Sequence, residues 1–159
     1  MTIAIYAGSF DPFTYGHLDI LNTGAKIFEK LIIAVAHNPE KKSFIPINDR
    51  IKLIKECISD YKNIEVSSFD GLTVDFAKKY NANFLLRGVR NETDFRYENN
   101  LAQINYSLNQ NIETIILTAK PEHNFISSSF VRELISHKCD LSKYVPDNIS
   151  IYIKEHYYS

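Results

Sequence analysis

Ile3-Ala4-Ile5-Tyr6-Ala7 is an unbroken apolar run that stops at Gly8, after which the pattern turns helical, with Leu18, Leu21, Ala25 and Phe28 on one face. A strand with no polar alternation is one covered on both faces, and the following amphipathic segment is the natural cover. The opening of the chain therefore points to a layered α/β arrangement with a parallel sheet. Between strand and helix lies Gly8-Ser9-Phe10-Asp11-Pro12-Phe13-Thr14-Tyr15-Gly16-His17. A glycine turn feeding a helix start presents free backbone N–H groups and the positive end of the helix dipole, and phosphate oxygens suit both.

The same alternation continues. Short runs rich in Ile, Val, Leu and Phe predict strands near residues 2–7, 31–36, 63–67, 84–87 and 113–117. Helical stripes fall between them: Ile47, Ile51, Ile54 and Ile58, then Leu72, Phe76 and Tyr80, then Tyr97, Leu101, Ile104 and Leu108. A further helix opens at Ser127-Ser128-Ser129 with Val131, Leu134 and Ile135 inward, and a last one follows Pro146. Right-handed crossovers then give one Rossmann-like domain over residues 1–159, a five-stranded parallel sheet with helices on both faces. Ligands in such sheets bind beyond the carboxyl ends of the strands. Gly8 to His17, Lys41, Arg87 to Arg90 and Ser127 to Ser129 all lie beyond such ends and are expected to converge on one crevice.

Composition narrows the chemistry. A formal net charge of -1 gives no global attraction to nucleic acid or anionic membrane, so anion binding has to come from local clusters. Cys57 and Cys139 have no metal-like spacing and read as ordinary reduced thiols. The longest apolar run, Leu31 to Ala36, is too short to span a bilayer, and Met1-Thr2 leads straight into a strand, so a cytoplasmic protein is expected.

Asp11-Pro12 reads as a structural turn, and Lys41 lies in a loop that would otherwise pass as a solvated charge run. Arg87-Gly88-Val89-Arg90 sets two arginines about a glycine, a pattern suited to bidentate phosphate contacts. Taken together, Gly8 to His17, Arg87 to Arg90, Asp94-Phe95-Arg96-Tyr97-Glu98 and Ile126-Ser127-Ser128-Ser129-Phe130-Val131-Arg132-Glu133 resemble the phosphopantetheine adenylyltransferase family of nucleotidyltransferases. The likeness runs in consistent order from Ile3 to about Pro146. It departs at Ala7, Tyr15, Pro46, Thr73 and His123, none of which removes a phosphate ligand.

The resemblance implies adenylyl transfer from ATP to 4'-phosphopantetheine, giving dephospho-coenzyme A and pyrophosphate by direct in-line attack. It implies His17 as the catalytic group on the α-phosphate, and Ser9, Lys41, Thr73 and Arg87 as acceptor contacts. Nucleotide contacts fall on Ser9, Phe10, His17, Gly88, Val89, Arg90 and Glu98, and on His123, Asn124, Phe125, Ile126, Ser127, Ser128 and Ser129. A helix-surface ion pair with a nearby arginine is the alternative for Glu98. Mg²⁺ is expected to arrive with ATP, no protein metal site is expected, and family members are homohexamers. The alternatives are a sister nucleotidyltransferase with another acceptor and a non-catalytic nucleotide-binding module.

Overall fold

Five strands, β1 (Ile3–Gly8), β2 (Lys30–Ala36), β3 (Ile64–Phe69), β4 (Phe84–Val89) and β5 (Glu113–Thr118), form one sheet in the order β3-β2-β1-β4-β5. Every pairing is parallel. The computed structural model describes residues 1–159. From β1 the chain winds outward through β2 and β3, then crosses back to place β4 on the other side of β1. The strand order reverses between β1 and β4, and a crevice opens beyond their carboxyl ends.

Six helices cover the sheet: α1 (Tyr15–Ile27), α2 (Ile47–Cys57), α3 (Thr73–Lys79), α4 (Glu92–Leu108), α5 (Ser128–Ser136) and α6 (Asp147–Tyr157). Alternate strand residues feed two cores. Ala4, Tyr6, Leu31, Ile33, Val35 and Leu86 pack with Leu21 of α1, Ile54 of α2, Val131 of α5 and Ile153 of α6. Ile3, Ile5, Ala7, Ile32, Ala34 and Leu85 pack with Val74, Phe76 and Ala77 of α3. This two-sided burial is why the strands read as continuous apolar runs. Each fully buried Leu or Ile contributes about 1.5–3 kcal/mol of transfer free energy, enough to fix register against a one-residue slip.

The structure corrects three expectations. The fourth strand runs to Val89, two residues past the expected end at residue 87, so Gly88 and Val89 are strand residues rather than part of the following loop. Strand parity puts Arg87 on the side of α4 and Gly88 toward α1, where an added Cβ would come within 2.7 Å of Ile20 Cγ1. Glycine there lets the start of α1 lie close against β4. Leu72 is the N-cap of α3 and is exposed, so its stripe begins one turn later than the spacing implied. Most of the third stripe stays outside the core: Tyr97, Ile104 and Leu108 on α4 are 64, 55 and 54 % exposed. No helix is long and apolar enough to cross a membrane.

Candidate active site

The start of α1 fixes the imidazole at its centre. Thr14 is the N-cap in extended conformation, and its Oγ1 accepts from the His17 amide at 3.3 Å while its own N–H donates to His17 Nδ1 at 3.0 Å. This is a reciprocal capping box with histidine where Glu or Gln is usual. A backbone N–H only donates, so Nδ1 accepts and the neutral ring carries its proton on Nε2. Phe10 meets the ring edge-on at 5.0 Å and Phe13 stacks on it at 5.5 Å. Burial, then Arg87 and Arg90, push the His17 pKa down to about 4. Near pH 7 the group is a neutral N–H donor lining the crevice.

That depression has a consequence for stability. An unfolded imidazole titrates near 6.5 and the folded one at about 4, so the unfolded chain binds more protons between these values. The contribution is complete above pH 6.5 and is lost as the pH falls toward 4, up to about 3 kcal/mol in all. Urea unfolding at about pH 7 and about pH 4.5 is expected to show wild type losing roughly 2 kcal/mol more than His17→Asn. Parallel losses would contradict this.

The loop before α1 supplies donors. Phe10 lies at φ 49, in the left-handed region that a bulky residue adopts at a cost of about 1–2 kcal/mol, and its ring is only 2 % exposed. The backbone amides of Ser9 and Phe10 have no protein partner, and neither has the exposed Ser9 hydroxyl. Asp11 is structural, as its turn chemistry suggested. Its carboxylate accepts from the amides of Phe44 at 2.7 Å and Ile45 at 2.8 Å, tying this loop to the segment before α2.

Opposite stands α5. Ser127 caps it, accepting from the Phe130 amide at 3.0 Å; Ser128 Oγ donates to the Pro12 carbonyl at 2.8 Å; Ser129 Oγ accepts from Arg132 Nη2 at 3.1 Å. The hydroxyls are thus occupied within the protein, whereas the amides of Ser128 and Ser129 have no partner. Gly16 lets this helix start approach α1, since a Cβ there would sit 3.3 Å from the Ile126 carbonyl oxygen.

At the end of β4, Arg87 forms a two-point ion pair with Glu98 of α4, Nε to Oε2 at 2.7 Å and Nη2 to Oε1 at 2.8 Å, and donates through Nη1 to the Ala7 carbonyl at 2.6 Å. Arg90 pairs with Asp94 at 2.8 Å and holds its carboxyl below the usual range. Glu98 thus carries an ion pair, but a buried one to a strand residue rather than the helix-surface pair of its alternative reading.

These elements enclose a cleft of about 530 Å³ that brings together Ser9, Phe10, His17, Arg87 to Arg90, Glu98 and Ile126 to Ser129. A second cleft, of about 880 Å³, shares Ser9 with it and holds Lys41, Lys42, Arg50 and Arg132 against the single carboxylate of Asp11. Four of the candidate residues line neither cleft: Thr73 opens α3, and His123, Asn124 and Phe125 lie outside both. His123 stacks on Tyr15 at 5.7 Å and pairs with Asp19 at 2.5 Å, while Phe125 packs edge-on against Phe130 and Tyr144. Arg50 was not singled out from the sequence; it is one cation on an amphipathic helix, and nothing local marks it as buried.

Comparison with known proteins adds to this geometry. The cytidylyltransferase-like family model matches residues 5–134. The phosphopantetheine adenylyltransferase of Caldanaerobacter subterraneus subsp. tengcongensis is 47% identical over 94% of this chain and 94% of its own. That of Lachnoclostridium phytofermentans is 46% identical over 99% of this chain and 96% of its own. A solved chain from Vibrio parahaemolyticus, carried under a nicotinate-nucleotide adenylyltransferase name, superposes with a TM-score of 0.70 at 16% identity, covering 98% of this chain and 93% of that one. At that identity the likeness concerns the fold alone.

Proposed function

Because this chain belongs to the phosphopantetheine adenylyltransferase family and is a nucleotidyltransferase, we propose that it transfers the adenylyl group of ATP to 4'-phosphopantetheine, releasing pyrophosphate and leaving dephospho-coenzyme A. The observation that carries this reading is the pair of unpartnered amide sets, Ser9 with Phe10 and Ser128 with Ser129, on residues that line one cleft with the His17 Nε2–H donor.

In the proposed step an oxygen of the acceptor phosphate forms a bond to the α-phosphorus. The bond from that phosphorus to the bridging oxygen breaks, and its electron pair leaves with pyrophosphate. An ionised phosphate is already a nucleophile, so no general base and no covalent intermediate are required. Catalysis then rests on positioning and on donors aimed at developing charge. His17 serves the α-phosphate through Nε2–H, the Ser128 and Ser129 amides serve the leaving phosphates, and Ser9 and Lys41 hold the acceptor. Arg87 completes the acceptor side while braced by Glu98, and Gly88, Val89 and Arg90 border the nucleotide.

Mg²⁺ supplies charge neutralisation on the triphosphate. Asp94 and Glu98, the carboxylates of the first cleft, are paired with Arg90 and Arg87, which supports a metal carried by the nucleotide rather than by the protein. The homohexamer implied by the resemblance draws support from the apolar face that α4 leaves uncovered, with Tyr97, Ile104 and Leu108 exposed.

The test is pyrophosphate release from Mg²⁺ and ATP with 4'-phosphopantetheine, nicotinate mononucleotide or glycerol 3-phosphate as acceptor. Release with 4'-phosphopantetheine alone is expected; release with another acceptor overturns the assignment. Lys41→Ala is expected to raise KM for the acceptor about 10- to 100-fold, the worth of one hydrogen bond to a charged group, with kcat changed little. An unchanged KM would remove Lys41 from the acceptor site.

A further inference from the structure

Three arginines from three different elements grip alternate carbonyls from the end of β1 into the loop that follows it. Arg87 donates to the Ala7 oxygen at 2.6 Å, Arg50 to the Ser9 oxygen at 2.6 Å and Arg132 to the Asp11 oxygen at 2.7 Å. The peptides they hold are not equivalent. The Asp11–Pro12 peptide has no N–H, and Gly8 belongs to β1. Only the Ser9–Phe10 peptide, held by Arg50, has an N–H without a protein partner beside the cleft.

In a trans peptide the C=O and N–H bonds point in opposite directions. A guanidinium fixing the Ser9 oxygen from the side of α2 therefore turns the Phe10 N–H away from α2. Phe10 is also the loop residue at φ 49, a conformation that has to be held by its surroundings. Arg50 is built for holding. It is 4 % exposed, its Nε donates to the Ile45 oxygen at 2.9 Å, and it forms no salt bridge. A buried cation that hydrogen-bonds only backbone carbonyls, with the Asp11 carboxylate acting on it through space rather than in contact, is costly to keep for packing alone.

We infer that Arg50 is a positioning residue for the reaction: by clamping the Ser9 carbonyl it aims the Phe10 amide at a phosphate oxygen and adds positive charge behind it. The inference rests on the reading of Ser9 and Phe10 as a phosphate cradle. Arg50 acts through that peptide and does not itself touch the reacting atoms.

The test uses the full-length ¹⁵N-labelled protein and inorganic pyrophosphate as probe, following the Phe10 amide resonance in wild type, Arg50→Lys and Arg50→Met. In wild type the Phe10 amide proton moves downfield on titration; in both variants that shift is lost while the rest of the spectrum stays dispersed. Turnover follows, with kcat down about 10²-fold in Arg50→Met, the loss expected for one preorganised donor, and KM for the acceptor nearly unchanged. A Phe10 shift retained in both variants overturns the clamp and leaves the cradle standing. No Phe10 shift in wild type overturns both. Loss of dispersion in Arg50→Lys, which keeps the cation, assigns Arg50 to folding and also overturns the inference.

Discussion

His17→Ala is expected to lower kcat by about 10²- to 10³-fold, the usual loss for one preorganised donor at a site of developing charge. The structure makes the expectation specific. Thr14 fixes Nδ1 as an acceptor, so the ring proton is on Nε2, and alanine removes that donor and the Nδ1 acceptor while the residue 17 amide still donates to Thr14 Oγ1. Losing the reciprocal half of the capping box costs about 1 kcal/mol of stability by itself. His17→Asn separates the two effects, because its short amide retains an acceptor for the Thr14 N–H and lacks the reach of Nε2. It is expected to recover the melting temperature and to remain as slow as alanine. Steady-state kinetics beside thermal melts of both variants decide the matter; turnover near wild type in either removes His17 from catalysis.

Glu98→Ala is expected to destabilise the fold by about 3 kcal/mol, because it strips the only carboxylate from a largely buried guanidinium. Glu98→Gln, which still accepts one hydrogen bond, should lose about half as much. The double variant Arg87→Met with Glu98→Leu removes both charges and should recover most of the stability without recovering turnover. Urea denaturation of the set measures the coupling. If Glu98→Ala raised KM for ATP and left stability unchanged, Glu98 would be a nucleotide contact with no bracing role.

Sheet and crevice were legible because a doubly covered strand has to be apolar throughout, and that signature survives in a bare sequence at β1 and β2. The end of β4 was less visible. A charged residue followed by glycine closes an apolar run on paper, whereas the pairing with β5 continues through Gly88 and Val89. The stripe on α4 shows a different limit: periodicity identifies a face to be covered but not what covers it, and Tyr97, Ile104 and Leu108 stay open to solvent in the single chain. In the site, Gly8 to His17 and the serine cluster could be read because helix starts carry local signatures. What the sequence hid was the division of labour within them. The hydroxyls of Ser127 and Ser128 hold backbone, and the amides of Ser128 and Ser129, residues that line the cleft, have no protein partner. Arg50 was hidden altogether, since its partners Ser9 and Ile45 come from two separate loops.

The central claim is a single displacement at the α-phosphorus that requires the acceptor phosphate to be present. Isotope exchange tests it directly: the protein is incubated with Mg²⁺, ATP and labelled pyrophosphate, with and without 4'-phosphopantetheine. The account predicts label in ATP only when the acceptor is present, because no adenylylated protein exists to recombine with pyrophosphate. Label entering ATP without acceptor would contradict it and would place a covalent intermediate in the cleft.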